Sequence, residues 1–253
     1  MRRYFYDGQL QVGTGVSLQG DLFHHIFDVC RLQVGQHFEL IIPQGRAYLV
    51  VVETVEKKRG QVRVQEERAI PQLREPHIHV YLSFPKVPTF ELIVEKSVEL
   101  GVSSITPFLS DFSHVRTRQQ FPEMKIPRWQ KIILQATQQS GRGDLMQIES
   151  VRTLSEILSE VPVMENSLNV IAYEGDTPTS LKKFLQTNHI EGLKRINLFV
   201  GSEGGFSEKE VETFKRLDLP PVTLGDQVLR VETACLTLVA SLKYEFDLLE
   251  SVK

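Results

Sequence analysis

The sequence predicts an α/β fold class in two parts: a small β-barrel domain over residues 1–73, followed by an α/β domain over residues 74–253. Three observations predict this division. The first 70 or so residues carry short β-rich runs and a single short helix, which is typical of a small barrel. Pro71 and Pro76 bracket a polar stretch that is typical of a linker. Beyond it, strands and helices alternate, which favours a mainly parallel sheet with helices on its faces.

Within the first part, β-rich runs predict strands over residues 38–42 and 47–55, joined by a hairpin turn at residues 43–46. Residues 61–66 alternate apolar and polar side chains, as a half-buried strand does. Asp21 is a good N-cap residue, so a short helix is expected to follow it. That helix would place on one face Leu22, Ile26, Val29 and Cys30.

In the second part, predicted strands and helices alternate regularly. Strands are predicted over residues 77–84, 105–109, 169–173 and 196–200, and helices over residues 90–100, 128–140 and 231–249. Gly101 is expected to end the first of these helices in the C′ position. The spacing of Trp129, Ile132, Ile133 and Ala136 predicts that these side chains line one face of the second helix.

Composition excludes several classes of protein. The chain is 41% hydrophobic and 24% charged, which excludes a disordered or fibrous protein. Its two cysteines, Cys30 and Cys235, cannot build a disulfide framework or a Cys-rich zinc site, and the histidine spacing predicts no metal site. No apolar run is long enough to cross a bilayer and no signal peptide is recognisable. We therefore expect a cytoplasmic protein without a membrane partner.

The formal net charge of −3 by itself argues against a nucleic-acid partner, but the charge is unevenly distributed. Residues 112–143 hold six basic side chains against Glu123 alone, a local charge of +5. The six are Arg116, Arg118, Lys125, Arg128, Lys131 and Arg142. Two interpretations remain open: a stripe that contacts phosphates, or a solvated helix face flanked by a loop.

The most informative segment is residues 197–210, where an apolar strand runs into three glycines and then into Ser207 and Glu210, spaced as a capping box. Glycines at the carboxyl end of a strand allow a ligand to approach the backbone closely. The spacing is neither G-x-G-x-x-G nor a P-loop, and Glu203 would repel a phosphate. A ligand with a neutral or cationic part therefore fits better than a dinucleotide, although a simple turn is the alternative.

A second loop, residues 222–234, concentrates Gly, Arg, Glu and Thr where a short strand meets the last helix. One interpretation is structural: Glu232 or Thr233 caps the helix, and Arg230 pairs with a carboxylate. The other is that both loops form one pocket, which requires that their strands be neighbours in the sheet.

Taken together, G-S-E-G-G-F-S at residues 201–207 and L-G-x-x-x-L-R-x-E-T-A at residues 224–234 closely resemble the RsmE family. These are SPOUT-class methyltransferases that modify N3 of a uridine in 16S ribosomal RNA. Further likenesses lie along the chain, at residues 2–5, 24–26, 85–86, 95–102, 128–132 and 138–142. The first two of these, with Arg31, resemble the family's PUA-like RNA-binding domain. Three departures are Ser202, where proline is common, Val231, where threonine is common, and Gln135, where a small or acidic residue is frequent.

The resemblance implies a deep trefoil knot near the C-terminus of a SPOUT-type domain, a homodimer, and S-adenosyl-L-methionine as the methyl donor. It implies 16S ribosomal RNA as the partner, within the small ribosomal subunit. Carried over by motif position, the cofactor-binding residues would be Gly201, Ser202, Glu203, Gly204, Leu224, Gly225, Leu229, Arg230 and Ala234.

Methylation at N3 of uracil requires stabilisation of negative charge on the ring and removal of a proton. Arg230 is the candidate for charge stabilisation, with a structural ion pair to Glu232 as the alternative. Glu203 or Glu232 could accept the proton, or could orient the cofactor or the loop. The candidate RNA-binding residues are Arg2, Arg3, Arg31, Arg116, Arg118, Gln139 and Arg142, with Lys86 a weaker one. A non-catalytic RNA-binding protein and a nucleotide-binding enzyme of the doubly wound type remain as alternatives.

Overall fold

The computed structural model describes residues 2–42, 45–70, 72–175, 177, 179–188 and 190–250. The chain forms two compact units. The first comprises Met1–Gln72 and Leu134–Leu145, and the second comprises Leu73–Ile133 and Met146–Lys253.

The first unit contains a five-stranded sheet in the order β1-β3-β4-β5-β2, in which β1 and β3 are parallel and the other neighbours antiparallel. The strands are β1 (Arg3–Phe5), β2 (Gly15–Leu18), β3 (His37–Ile42), β4 (Arg46–Val55) and β5 (Gly60–Ala69). Tyr4 and Leu18 come from the two edge strands of this order, yet both belong to one hydrophobic core. The sheet therefore curls into a half-barrel, as expected. Pro43 and Gln44 of the predicted hairpin turn, like Pro71 of the predicted linker, lie outside the described residues.

The helix of this unit differs from the prediction. Helix α1 (Gly20–Phe23) begins before Asp21, after an N-cap at Gln19 that makes no side-chain bond, and continues as a π-helical turn (His24–Val29). Because the wider turn changes which side chains share a face, Phe23 and Phe27 face the core, with ring centroids 5.1 Å apart. Val29, predicted to share a face with Ile26, is 58% exposed, whereas Ile26 is buried.

This helix packs against β5 at a glycine. A Cβ atom at Gly60 would lie 2.2 Å from the Phe27 ring, so no larger residue fits there without displacing the ring.

The second unit is built on a parallel sheet in the order β12-β10-β11-β6-β7, with β8 and β9 both pairing with β7. Its strands are β6 (His77–Ser83), β7 (Ser104–Leu109), β8 (Gln147–Ile148), β9 (Arg152–Thr153), β10 (Ser167–Ala172), β11 (Arg195–Val200) and β12 (Pro221–Val222). The four strands predicted for this domain are confirmed, and β11 is a neighbour of both β10 and β6.

The helices of the α/β part are α2 (Val87–Glu99), α3 (Ile126–Ser140), α4 (Leu154–Leu158), α5 (Leu181–Thr187), α6 (Glu208–Arg216) and α7 (Val231–Glu245). Short 3₁₀ turns lie at Arg118–Gln120, Glu123–Lys125 and Val161–Val163. Gly101 follows α2 with φ of +75°, which confirms its C′ role. The last helix is shorter than the predicted 231–249, because Asp247 takes a left-handed conformation and Arg74 donates to the carbonyls of Asp247 and Glu250. Among the described residues, no helix is long and apolar enough to span a membrane.

Parallel pairing has one consequence for function: β6, β10, β11 and β12 all present their carboxyl ends at the same edge of the sheet. The glycine segment follows β11 and the second loop follows β12, so both loops start from this edge. This is the edge at which open α/β sheets bind ligands.

Candidate functional site

A cleft of about 460 Å³ opens at the carboxyl edge of the parallel sheet. Its walls come from the ends of β10 and β11, from the start of α2, and from the loop between β12 and α7. The structure brings together here most of the residues that the sequence assigned to cofactor and catalysis. They are Gly201, Ser202, Glu203, Leu224, Gly225, Leu229, Arg230, Glu232 and Ala234.

The glycine loop, residues 201–205, is a tight turn in which the Gly205 N–H donates to the Ser202 carbonyl at 2.9 Å. A Cβ atom on Gly201 would lie 2.8 Å from Gly205 Cα, so the two ends of the loop touch. Gly205 has φ of +67°, and a Cβ atom there would lie 1.7 Å from Glu174 Oε1. Gly201 therefore requires glycine because backbone occupies the Cβ position, whereas Gly205 favours glycine through its left-handed backbone, and a side chain there would displace the Glu174 carboxylate.

Gly204 is placed differently from the other loop residues. It is exposed and is not part of the cleft wall. A Cβ atom at Gly204 would lie 2.8 Å from Phe112 Cβ, which belongs to the segment after β7. The Ser202 hydroxyl also donates to the Phe112 carbonyl, at 2.6 Å. In this structure, Gly204 allows the segment after β7 to pack closely on the glycine loop.

The predicted capping box at the start of α6 is confirmed. The Ser207 hydroxyl accepts from the Glu210 N–H, and Glu210 Oε2 accepts from the Ser207 N–H at 2.9 Å. The second oxygen of the buried Glu210 carboxylate accepts from the Asp111 N–H at 2.9 Å. Glu210 thus fixes both the helix that follows the glycine loop and the segment after β7.

Glu203 is exposed and lines the cleft. Its Oε1 accepts a hydrogen bond from the backbone N–H of Lys86, at 3.1 Å, and Lys86 itself lines the cleft. This bond links the glycine loop to the start of α2 and holds the Glu203 side chain in one orientation.

Arg230 is the N-cap residue of α7, and its side chain makes no capping hydrogen bond. Within the described part of the chain, neither Arg230 nor Glu232 takes part in an ion pair, so the alternative of a structural pair between them is wrong. Arg230 is exposed and Glu232 is half-buried, and both line the cleft. Their charged groups are therefore available to a ligand.

Several lining residues escaped the sequence analysis, among them Thr89, Tyr173, Glu174, Thr223 and Gln227. Tyr173 and Glu174 follow β10, the neighbour of β11. A signal for them was present, since the end of the predicted strand over residues 169–173 falls at the same edge as the glycine loop. With Glu174, Glu203 and Glu232 against Lys86 and Arg230, the cleft carries three carboxylates and two cations.

The basic stretch at residues 112–143 is partly neutralised. Arg118 pairs with Glu156, and Arg128 forms a two-point contact with Glu91 at 2.6 and 2.8 Å. The side chain of Arg116 is exposed and pairs with no described residue. Over residues 112–133, which belong to the second unit, the predicted basic stripe is therefore interrupted by ion pairs and consists of separate charges.

The candidate RNA-binding residues of the first unit also differ from one another. The side chain of Arg142 is only 5% exposed, and its guanidinium contacts Asp144 at 3.0 and 2.8 Å. Arg3 pairs with Glu39 at 2.6 Å and donates to the Gly141 carbonyl. These two arginines hold the unit together.

The remaining candidates of this unit face solvent. Arg31 and Gln139 are exposed, and Arg2 is exposed while donating to the Cys30 carbonyl at 2.9 Å.

Two protein-family models match the chain. An RNA methyltransferase domain matches residues 73–243, and an RNA methyltransferase PUA domain matches residues 18–65. Among curated proteins, the ribosomal RNA small subunit methyltransferase E of Bacillus subtilis is 28% identical over 261 residues, covering 98% of each chain. The protein of the same name from Aquifex aeolicus is 28% identical over 239 residues, covering 94% of this chain and 97% of the relative.

Solved structures give the same result. The ribosomal RNA small subunit methyltransferase E from Neisseria gonorrhoeae bound to S-adenosyl methionine superposes with a TM-score of 0.81 at 26% identity, covering 96% of this chain and 97% of the other. A putative methyltransferase from Legionella pneumophila in complex with the cofactor SAM gives a TM-score of 0.82 at 26% identity, covering 96% of each chain.

Proposed function

Because the chain belongs to the RNA methyltransferase family, we propose that it methylates N3 of a uridine in 16S ribosomal RNA, with S-adenosylmethionine as the methyl donor. The observation that carries the proposal is the cleft in which the glycine loop and the loop before α7 meet. The names of the relatives, and the cofactor in two of the similar structures, support the same reaction.

The residues of the cleft fit S-adenosylmethionine. A volume of about 460 Å³ lies within the range of roughly 300–1,000 Å³ that is usual for small-molecule pockets. The carboxylates of Glu174, Glu203 and Glu232 suit the positive charges of a sulfonium and an ammonium group, and Lys86 suits a carboxylate. When bound, the cofactor supplies an electrophilic methyl group. Gly201 and Gly205 line the cleft without side chains, so the cofactor can approach the backbone of the glycine loop closely.

The protein must supply the stabilisation of charge on the base. Arg230 lies at the cleft, is permanently charged and has no carboxylate partner among the described residues. Its guanidinium stabilises the negative charge that develops on the uracil carbonyl oxygens as N3 loses its proton. Glu232, the second residue of α7, accepts that proton. It lines the cleft, and its carboxylate is available to the base because it makes no hydrogen bond with a described residue. Glu203, held by the Lys86 N–H, has the orienting role.

The RNA contacts extend to the first part of the chain. Residues 1–73 form a PUA-like RNA-binding domain and residues 74–253 the catalytic domain, in which the knot lies. The exposed Arg2, Arg31, Arg116 and Gln139 contact RNA. Three other arginines, Arg3, Arg118 and Arg142, form ion pairs and stabilise the local structure instead of contacting RNA. The enzyme acts as a homodimer on the small subunit in the cytoplasm, as the family resemblance implies.

The test is a nucleoside analysis of 16S ribosomal RNA from a strain that lacks this gene. N3-methyluridine should disappear, and should return when the wild-type gene is supplied but not when Arg230→Ala is supplied. An unchanged content of N3-methyluridine in the deletion strain would rule out the proposal. A second assay compares methylation of free 16S RNA, isolated small subunits and whole ribosomes by the purified protein. The non-catalytic alternative predicts RNA binding without cofactor binding. Binding of S-adenosylmethionine in calorimetry would therefore exclude it.

A further inference from the structure

The segment after β7, residues 110–115, is unusually well anchored for a surface loop. The Ser110 hydroxyl shares a hydrogen bond of 2.6 Å with Ser83 at the end of β6. The Ser113 hydroxyl donates to the carbonyls of Ser110 and Val115, at 2.9 and 2.6 Å. The His114 N–H donates to the Phe84 carbonyl at 2.8 Å. The loop is therefore fixed to the sheet by its own side chains.

The same loop is also tied to the glycine loop and to α6. The Ser202 hydroxyl donates to the Phe112 carbonyl, the Glu210 carboxylate accepts from the Asp111 N–H, and the Ser207 hydroxyl donates to the Asp111 carboxylate at 2.6 Å. These bonds join two segments that lie about ninety residues apart in sequence. The position of Phe112 relative to the cofactor cleft is therefore set by a rigid frame.

At the apex of this frame, Phe112 is 47% exposed. The chain has 14 phenylalanines, all within the described residues; Phe112 is exposed, and the other 13 are buried or half-buried. Its neighbours Ser113 and Val115 are buried, so the loop has a buried side, whereas the Phe112 side chain lies on the exposed side. Its Cβ atom packs on Gly204, next in sequence to the cleft residue Glu203. What distinguishes Phe112 from the other exposed apolar side chains is that its loop is anchored by hydrogen bonds and packs on the glycine loop that carries the cleft residue Glu203.

We infer that Phe112 provides the face on which the target base stacks when it leaves the RNA helix. The inference rests on the proposed function, because it assumes that a base enters this cleft. A base inside folded RNA must be unstacked before its ring nitrogen can react, and aromatic side chains replace the lost stacking. Phenylalanine has no charge and no hydrogen-bonding group, so this contact holds the plane of the base without reading its identity. Phe112 is thus a substrate-contacting residue outside the two sequence motifs.

The test uses three variants of the full-length protein: Phe112→Ala, Phe112→Leu and Phe112→Tyr. Stacking on one aromatic ring corresponds to roughly a 5- to 150-fold effect on substrate binding. Ala and Leu should therefore raise KM for RNA within that range, while Tyr, which keeps the ring, should stay near wild type. The affinity for S-adenosylmethionine, measured by calorimetry, should be unchanged in all three. Leu217→Ala, at the far end of α6 and 37% exposed, is the matched control and should behave as wild type.

The outcomes separate the two proposals. If the wild-type protein forms no N3-methyluridine, the proposed function fails. If the wild type is active and Phe112→Leu has an unchanged KM for RNA, the stacking role is wrong. The role is equally overturned if Phe112→Ala changes the oligomeric state in light scattering, because Phe112 would then serve a contact between protein chains.

Discussion

Replacing Gly205 by alanine tests whether the glycine loop shapes the cofactor cleft. Gly205 has φ of +67°, a left-handed conformation that costs an alanine roughly 1–2 kcal/mol. The added methyl group would also displace the Glu174 carboxylate, because its position lies 1.7 Å from Glu174 Oε1 and 2.6 Å from the Glu174 carboxyl carbon. Glu174 lines the cleft, so its displacement changes the cleft itself.

Gly192 offers a matched control for this substitution. Its φ is +68°, and a Cβ atom at Gly192 would have no neighbour within 4 Å. Gly192→Ala therefore carries the same backbone penalty without the steric conflict. Both variants should lose roughly 1–2 kcal/mol of unfolding free energy. Only Gly205→Ala should also bind S-adenosylmethionine more weakly, by tenfold or more, which corresponds to about 1.4 kcal/mol.

The measurement is titration calorimetry with S-adenosylmethionine, together with denaturant unfolding of both variants. A third variant, Glu174→Ala, removes the group that the new methyl would strike. In that background, Gly205→Ala should cost less cofactor affinity than it does in the wild type. Cofactor affinity equal to that of the wild type in Gly205→Ala would refute the reasoning, and so would an equal loss in Gly192→Ala.

Three further predictions follow from other parts of the structure. Arg230→Ala should abolish methyl transfer while the affinity for S-adenosylmethionine stays within a few fold, since the guanidinium acts on the base; near-normal turnover at saturating cofactor would contradict this. Arg116→Glu should weaken RNA binding and reduce its salt dependence, measured as the slope of log K against log salt concentration, whereas an unchanged slope would assign Arg116 to a solvated face. Burial, together with the charges of Arg195 and Arg152, lowers the pKa of His79 to about 3, so unfolding lets this side chain take up a proton below about pH 6.5. Stability should therefore fall by about 3 kcal/mol from this residue between pH 7 and pH 4.5, and His79→Asn should remove that part of the pH dependence in denaturant titrations.

Short sequence patterns predicted those features of the fold that depend only on residues adjacent in the chain. The capping box at Ser207 and Glu210 and the C′ position of Gly101 depend on a few adjacent residues, and both are confirmed. The π-helical turn after α1 was not predictable in this way, because it depends on how Phe23 and Phe27 fit the core of the half-barrel. Where a contact partner lies far away in sequence, periodicity carries no information about it.

The same division holds at the site. Sequence motifs located both cleft loops, but they gave no indication that Phe112 packs on the glycine loop, and only the end of a predicted strand pointed to Glu174. Motifs also gave no indication that Gly204 faces another loop, since a glycine looks the same whether a ligand or a backbone approaches it. Strand adjacency had to be known before these roles could be assigned.

Ion pairing also limits how much of the RNA affinity can be electrostatic. Of the six basic residues in the stretch 112–143, Arg118, Arg128 and Arg142 are bound to carboxylates, which leaves Arg116, Lys125 and Lys131 without an ion-pair partner among the described residues. Three phosphate contacts would give a salt slope of only about −2 to −3. Arg2 and Arg31 in the first part of the chain would add to this slope, but phosphate contacts carry no information about the base. Selection must then depend on contacts that salt does not screen, such as the shape of the cleft and base stacking. A steep salt dependence in the wild-type protein would show instead that the PUA-like domain supplies most of the phosphate contacts.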